Sequence, residues 1–171
     1  MKKFFFFFSI ILLAFNTTYA AENIRFIDMD KVLTTSKPGS FVLKQLEAIN
    51  SKNIKKFKEQ ELILKEQETS ILSQRNILTK EEFKKNVDKL KLEIKDYNKK
   101  KKITVLEFKK IKLDNTNKLL KAINKILTKY SNDNSISLIL QKSNLVVGKS
   151  ELEITDIIIK IVNNEIKAYK I

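Results

Sequence analysis

Residues 76–83, NILTKEEF, interrupt a segment from residue 38 to about 131 that otherwise has the composition of one continuous helix. That segment contains no Pro or Gly after Gly39 and is dominated by Lys, Glu, Leu, Ile and Asn. Thr79 and Glu82 form a capping-box pattern, because a Thr hydroxyl and a Glu carboxylate can accept hydrogen bonds from the free amides at a helix start. The sequence therefore predicts a helical hairpin with arms at about residues 38–76 and 80–131.

Apolar residues recur in both predicted arms with the spacing of a coiled coil. In the second arm the spacing alternates between four and three residues in two runs, Phe83-Val87-Leu90-Ile94-Tyr97 and Leu119-Ile123-Ile126-Tyr130. In the first arm Phe57, Leu64, Ile71 and Leu78 recur every seven residues, and the first three are followed three residues later by Gln60, Gln67 and Gln74. Amides in a seam weaken the packing but allow hydrogen bonds across it, so one interpretation is a loosely held pair of arms. The other is that the glutamines only flank a narrow apolar stripe.

The two ends of the chain contain the β-type patterns. NIRFIDMDKVL, residues 23–33, is apolar and partly alternating, which predicts a strand. ISLILQKSNLVV, residues 136–147, predicts two strands of branched residues joined by a KSN turn. Thr155 and Asp156 are predicted to cap a closing helix. Its apolar face would contain Ile158, Ile161, Val162, Ile166 and Tyr169.

These ends form a predicted body, at about residues 21–45 and 130–171, from which arms at about residues 46–129 project. A body of about 65 residues is marginal as a monomer. Oligomerisation through the strands would supply the missing burial. The predicted fold class is thus α+β, mostly α.

Residues 1–20 have the pattern of a secretory signal peptide. Lys2 and Lys3 precede the apolar run Phe4–Phe15, which is too short for a comfortable membrane span. Small residues precede a predicted cut between Ala20 and Ala21, and Ala21 is not the Cys of a lipoprotein. The predicted mature chain, residues 21–171, is one exported and soluble domain.

Asp28 and Asp30 raise the hypothesis of an enzyme. In FIDMDKVL they have the spacing of the nucleophile motif in haloacid-dehalogenase-type phosphatases. Such an enzyme needs an alternating strand and helix sheet with further motifs on successive strand ends, whereas a long helical region follows here. The two carboxylates are better interpreted as structural groups that close the strand and help to turn the chain.

Composition excludes several other chemistries. The chain has no Cys and no His, which removes the usual zinc ligand sets and nucleophile–imidazole pairs. With 2 Gly and 1 Pro it also lacks the residues of glycine-lined phosphate loops. We predict no catalytic residues, no metal and no cofactor.

Positive charge is concentrated in the second arm. The chain has a net charge of +14, and residues 84–112 contain 12 Lys against 4 acids. One interpretation is a solvated helix face; another is a surface that attracts acidic unfolded chains or the phosphates of lipid headgroups. Nucleic-acid binding is disfavoured by the export signal and by the shortage of Arg. The candidate contact residues are Lys84, Lys85, Lys91, Lys95, Lys99, Lys100, Lys101, Lys102, Lys109 and Lys110. The run at 99–102 also interrupts the predicted apolar seam.

The chain resembles the Skp (OmpH-like) family of periplasmic chaperones from Gram-negative bacteria. The resemblance rests on the opening IRFIDMDKVLTTSKPG, the basic helical hairpin, the segment ISLILQKSNLVVGKSELEITD and the closing IIIKIVNNEIKAYK. It implies a homotrimer in which short strands form a small β-barrel body and the helical arms project around a cavity. It also implies a periplasmic chaperone that holds unfolded outer-membrane proteins without ATP.

The resemblance does not carry every family property. The basic cluster linked to lipopolysaccharide in the family includes Arg, and this chain has only Arg25 and Arg75, so that site is not transferred. Contact with anionic lipid or lipopolysaccharide through the lysines remains a broader expectation. The alternative function is an exported coiled-coil structural or adaptor protein that binds acidic envelope polymers.

Overall fold

The computed structural model describes residues 23–171, so the predicted signal peptide, residues 1–20, lies outside the described part of the chain. The elements are β1 (Ile24–Ile27), α1 (Met29–Thr35), α2 (Lys37–Ser73), α3 (Lys80–Asp133), β2 (Leu138–Gln141) and α4 (Thr155–Glu165). Two short 3-10 turns, Lys142–Asn144 and Ser150–Leu152, lie between β2 and α4. The described chain is therefore mostly helical with one small strand pair.

Helices α2 and α3 form the predicted hairpin. The Thr79 hydroxyl accepts a hydrogen bond from the Glu82 amide at 3.3 Å, and the Glu82 carboxylate accepts one from the Thr79 amide at 3.1 Å. The capping box and the reversal near it are thus confirmed. At 1.5 Å per residue α3 is about 80 Å long, so most of it extends past the packed end of the molecule.

The main core lies at the open end of the hairpin. It is formed by β1, α1, the last turns of α3, the residue before α4 and α4 itself. The buried side chains are Ile27, Val32, Leu119, Ile123, Ile126, Ile154, Ile158 and Val162. Ile158 and Val162 confirm the predicted apolar face of the closing helix. That helix ends at Glu165, so Ile166 and Tyr169 follow it in the chain.

The starts of α1 and α4 correct two sequence predictions. The strand covers Ile24–Ile27 alone, because Asp28 caps α1 by accepting a hydrogen bond from the Lys31 amide at 2.8 Å. Thr155 and Asp156 do not cap α4; its N-cap is Ile154, and Thr155 is buried. The Thr155 hydroxyl instead accepts a hydrogen bond from the Asp28 backbone amide at 2.9 Å. It therefore connects the starts of two helices that are far apart in sequence.

The sheet contains one strand fewer than predicted. β1 pairs with β2 in parallel, with Ile24 opposite Leu138 and Ile27 opposite Gln141. The KSN segment forms a 3-10 turn rather than a hairpin turn, so the chain does not fold back on β2. The predicted strand at residues 145–147 is therefore wrong for the single chain, in which Val146 and Val147 are exposed. Within residues 23–171, the one β-bridge outside this strand pair joins Phe26 to Glu153.

Helices α1 and α2 meet at Gly39. The Ser36 hydroxyl caps α2 by accepting a hydrogen bond from the Gly39 amide at 3.3 Å, and Pro38 lies in the first turn, where its missing amide costs nothing. A Cβ atom at Gly39 would lie 1.9 Å from the Leu33 carbonyl oxygen. Glycine is thus required by the close approach of the two helices.

Candidate functional site

The middle of the hairpin contains an ion-paired contact between the two arms. The Phe57 and Tyr97 rings pack edge to face with their centroids 6.0 Å apart. Lys101 lies over the Tyr97 ring at 5.5 Å and over the Phe57 ring at 6.0 Å. Its amino group donates a hydrogen bond to the Glu61 carboxylate at 2.6 Å, and the Tyr97 hydroxyl donates to the same oxygen. We call Phe57, Glu61, Tyr97 and Lys101 the mid-arm tie.

The pKa values in the mid-arm tie follow from these contacts. Hydrogen bonds from Lys101 and then from Tyr97 lower the pKa of Glu61. The contact with Glu61 raises the pKa of Lys101. Burial, followed by the hydrogen bond to Glu61, raises the pKa of Tyr97. Glu61 and Lys101 are therefore both ionised at neutral pH, and their ion pair joins α2 to α3.

Lys101 corrects the prediction that the lysine run breaks the seam. It follows Tyr97 by four residues and precedes Thr104 by three, so it lies on the face of α3 that contacts α2. The long methylene stem packs against aromatic rings while the amino group reaches a carboxylate. A lysine can therefore occupy a seam position without breaking the helix pairing.

The other nine lysines predicted to bind a partner are exposed on α3. Two form ion pairs within the helix, Lys91 with Asp88 at 3.8 Å and Lys100 with Asp96 at 2.6 Å. The structure does not bring the nine together at one point, because they are distributed around and along the helix. The other seven are Lys84, Lys85, Lys95, Lys99, Lys102, Lys109 and Lys110.

Two clefts flank the mid-arm tie. The first has a volume of about 680 Å³ and extends from Asn50 to Glu61 on α2 and from Lys101 to Lys112 on α3. Its apolar lining is Ile54, Phe57, Val105 and Phe108, and its charged lining is Lys58, Glu61, Lys101, Lys109 and Lys112. We call it the basic cleft. Lys58 and Lys112 were not among the predicted contact residues.

The second cleft has a volume of about 440 Å³ and shares only Phe57 and Thr104 with the basic cleft. Its charged residues are two lysines and two acids, Lys56, Glu93, Asp96 and Lys100. We call it the neutral cleft. At 100° per residue, Lys56 and Gln60 lie on one side of Phe57 whereas Ile54 and Lys58 lie on the other. The two clefts therefore open on opposite sides of the seam.

Towards the hairpin turn the seam is polar and irregular. The predicted seam residue Ile94 is exposed, and Glu93 is half-buried in its place. Gln67 and Gln74 line a third cleft of about 380 Å³ together with Asn86 and Lys89. The buried Gln67 side-chain oxygen accepts no hydrogen bond from the described residues. The predicted hydrogen bond across the arms is therefore absent at Gln67. The loose packing expected from the glutamines agrees with this cleft.

The described residues contain no group of three or more Asp and Glu side chains arranged to hold a metal ion. Between residues 23 and 171, no helix combines the length and the apolar character that crossing a membrane requires.

The comparisons with known proteins identify the family. The model of the family described as outer membrane protein (OmpH-like) matches residues 23–162. A search of curated proteins finds no match. A solved structure from Caulobacter crescentus CB15, of a protein provisionally named an OmpH-like outer membrane chaperone, aligns with a TM-score of 0.78 at 12% sequence identity. The alignment covers 89% of this chain and 90% of that chain, and at this identity it shows the shared fold. Because the family model matches most of the described residues, the chain belongs to the OmpH-like family.

Proposed function

We propose that this protein is a periplasmic chaperone that binds unfolded outer-membrane proteins after export and prevents their aggregation without ATP. Family membership and the solved OmpH-like structure support a chaperone role. The signal-peptide pattern of residues 1–20 supports export. Release would follow when the client folds into the outer membrane.

The observation that carries this proposal is the exposed apolar surface of the hairpin. Large apolar side chains normally avoid water, and clusters of them indicate an interaction surface. Both arms expose such side chains along their length, outside the seam that joins them. They are Ile54, Leu62, Ile63, Leu72, Leu92, Ile103, Val105, Leu106 and Leu113.

The exposed lysines of α3 supply long-range attraction to an acidic client. Positive charge on a surface raises the association rate with acidic partners more than it raises the final affinity. Many weak apolar contacts along two long helices would then retain the client. We assign client contact to the nine exposed lysines and assign Lys101 to the pairing of the arms.

We further propose that three copies assemble through the strands. A sheet of two strands is marginal alone, and the open edge of β2 can pair with another chain. Leu138 of β2 is exposed, as are Val146 and Val147 a few residues after that strand, and a cleft of about 560 Å³ lies between β2 and the end of α3. Sedimentation of residues 21–171 should give a trimer, and a stable folded monomer would contradict this assembly.

Asp28 has a structural role that fits a non-catalytic protein. Its carboxylate accepts the Lys31 amide at the start of α1, in the position that an N-cap residue normally takes. We therefore propose no enzymatic activity for the Asp28-x-Asp30 pair, and release of phosphate from a phosphomonoester with magnesium would contradict this.

The proposal is tested by an aggregation assay. An outer-membrane β-barrel protein unfolded in urea is diluted into buffer with or without residues 21–171, and light scattering is followed without ATP. We expect scattering to be suppressed at a ratio of one trimer per client. If scattering is unchanged while acidic polymers or anionic vesicles bind the protein, the adaptor alternative is favoured.

A further inference from the structure

The two sides of the hairpin differ in charge although they share the same seam. The basic cleft contains four lysines and one acid, whereas the neutral cleft contains two of each. Glu61, the only acid of the basic cleft, is already paired with Lys101. In the described chain, Lys58, Lys109 and Lys112 have no carboxylate within ion-pairing distance. Three uncompensated amino groups therefore surround one cleft and not the other.

The basic cleft also has an apolar floor. Phe57 and Phe108 are half-buried at the seam, and Ile54 and Val105 remain exposed above them. A concave site with an apolar lining and a few polar groups is the usual form of a binding site. Its volume of about 680 Å³ is within the usual range for such sites.

The length of the cleft sets the size of its occupant. It extends over twelve residues of each helix, from Asn50 to Glu61 and from Lys101 to Lys112, and the rise between the ends is about 17 Å. An extended chain advances about 3.3 Å per residue, so about five residues fit. Alternate side chains of such a segment point to opposite sides, one set towards the floor and the other towards the exposed lysines at the rim.

We propose that the basic cleft binds an extended segment of an unfolded chain in which apolar side chains alternate with carboxylates. The apolar set contacts Phe57, Val105 and Phe108, and the carboxylates pair with Lys58, Lys109 and Lys112. This inference rests on the proposed chaperone function and assigns client recognition to one side of the hairpin. It also explains why the neutral cleft, with two lysines and two acids, is not an equivalent site.

Two triple variants with equal charge loss test the proposal. The first, K58Q/K109Q/K112Q, removes the uncompensated lysines of the basic cleft. The control, K121Q/K125Q/K129Q, removes three lysines of α3 that are exposed, line neither cleft and are not among the proposed contact residues. A second pair of variants tests the floor: Ile54→Gln changes a side chain of the cleft that is 58% exposed, and Leu106→Gln changes one outside it that is 55% exposed.

The probes are two fluorescent peptides of the same composition. One alternates Leu and Glu, and the other contains the same residues in two blocks. Binding to the full mature protein is measured by fluorescence anisotropy, and circular dichroism checks that each variant is folded. We expect the wild type to prefer the alternating peptide by about fivefold, since only that order places both sets of side chains on their partners.

We expect K58Q/K109Q/K112Q to weaken binding of the alternating peptide about tenfold, and the control to weaken it less than about twofold. Ile54→Gln should weaken binding more than Leu106→Gln. Equal losses in the two triple variants, or equal affinity for the two peptides, would overturn the proposal in favour of a general positive field. Displacement of the peptide by anionic vesicles but not by an unfolded barrel protein would assign the cleft to lipid and also overturn it.

The aggregation assay separates this inference from the proposed function. If both triple variants suppress aggregation as well as the wild type does and bind the alternating peptide equally, the cleft assignment fails and the chaperone function stands. If the wild type binds the alternating peptide at the cleft but does not suppress aggregation, the chaperone function fails instead.

Discussion

Replacing Gly39 with Ala gives a strong test of how α1 packs on α2, because sequence and structure predict opposite signs. Gly39 lies in the first turn of α2, where Ala has the better helix propensity by at most about 1 kcal/mol. Sequence alone therefore predicts stabilisation. In the structure the added methyl group would lie 1.9 Å from the Leu33 carbonyl oxygen, whereas an ordinary contact begins at 3.4 Å.

The shortfall of about 1.5 Å must be relieved by separating two helices. Leu33 belongs to α1, whose Val32 is completely buried in the core, so α1 cannot move without loosening that packing. Overpacking of this kind typically costs about 3 kcal/mol at the upper end of its range. After subtraction of the propensity gain, we expect a net loss of about 2 kcal/mol in the free energy of unfolding.

Thermal unfolding followed by circular dichroism at equal protomer concentration measures this effect. A loss of about 2 kcal/mol corresponds to a decrease in Tm of about 4–8 °C for a chain of this size. Gly148, the other glycine, provides the control, because a Cβ atom there would meet only the edge of the Phe26 side chain at 3.0 Å. Gly148→Ala should change Tm less than Gly39→Ala does. An unchanged or higher Tm for Gly39→Ala would refute the close approach of the helices.

Three further predictions concern contacts that the structure identifies. Thr155→Val leaves the Asp28 amide without its acceptor and should cost about 1–3 kcal/mol in urea unfolding, whereas Thr155→Ser should retain most of the stability. Asp28→Asn preserves a capping side chain and should leave stability and the proposed holdase activity nearly unchanged, whereas Asp28→Ala should cost about 1 kcal/mol; equal losses would contradict the capping role. Lys101 lowers the pKa of Glu61. The stability that this ion pair contributes is therefore present above the ordinary glutamate pKa and is lost as pH falls through the lowered value. The Tm difference between wild type and Glu61→Gln should therefore disappear in acid, and a difference independent of pH would refute the ionic tie.

The long-range contacts of the packed end could not be predicted from the sequence. Thr155 before an apolar helix has the pattern of a cap, and the structure uses its hydroxyl for the Asp28 amide. The hydroxyl could accept a hydrogen bond from an amide in the first turn of α4 or from the Asp28 amide. Only the packing of α4 against α1 decides between the two donors. The segment at residues 145–147 has strand-forming residues, but strand formation needs a partner edge, and the single chain uses Phe26 to bridge Glu153.

The candidate site was predicted in part. The sequence identified α3 as the basic arm, but the ten predicted lysines include only two that line the basic cleft, Lys101 and Lys109, and omit Lys58 and Lys112. A helical-wheel projection of both arms would identify Lys58 and Lys112, since residues at equal angles from the seam on antiparallel helices lie on the same side. The run at 99–102 was interpreted as a unit, although its four members point in four directions.

The sequence by itself determined the features that depend on local chemistry. The hairpin follows from a helix-forming composition interrupted by a capping box, and the paired helices follow from apolar spacing, so each needs only residues within a few turns. The tertiary structure decided the features that depend on residues far apart in the chain. Lys101 is a seam residue only because Glu61 and Phe57 lie opposite it, and the basic cleft exists only because α2 and α3 place their lysines on the same side. The sign of a charged side chain is known from the sequence, but the residue with which it pairs depends on how the helices pack.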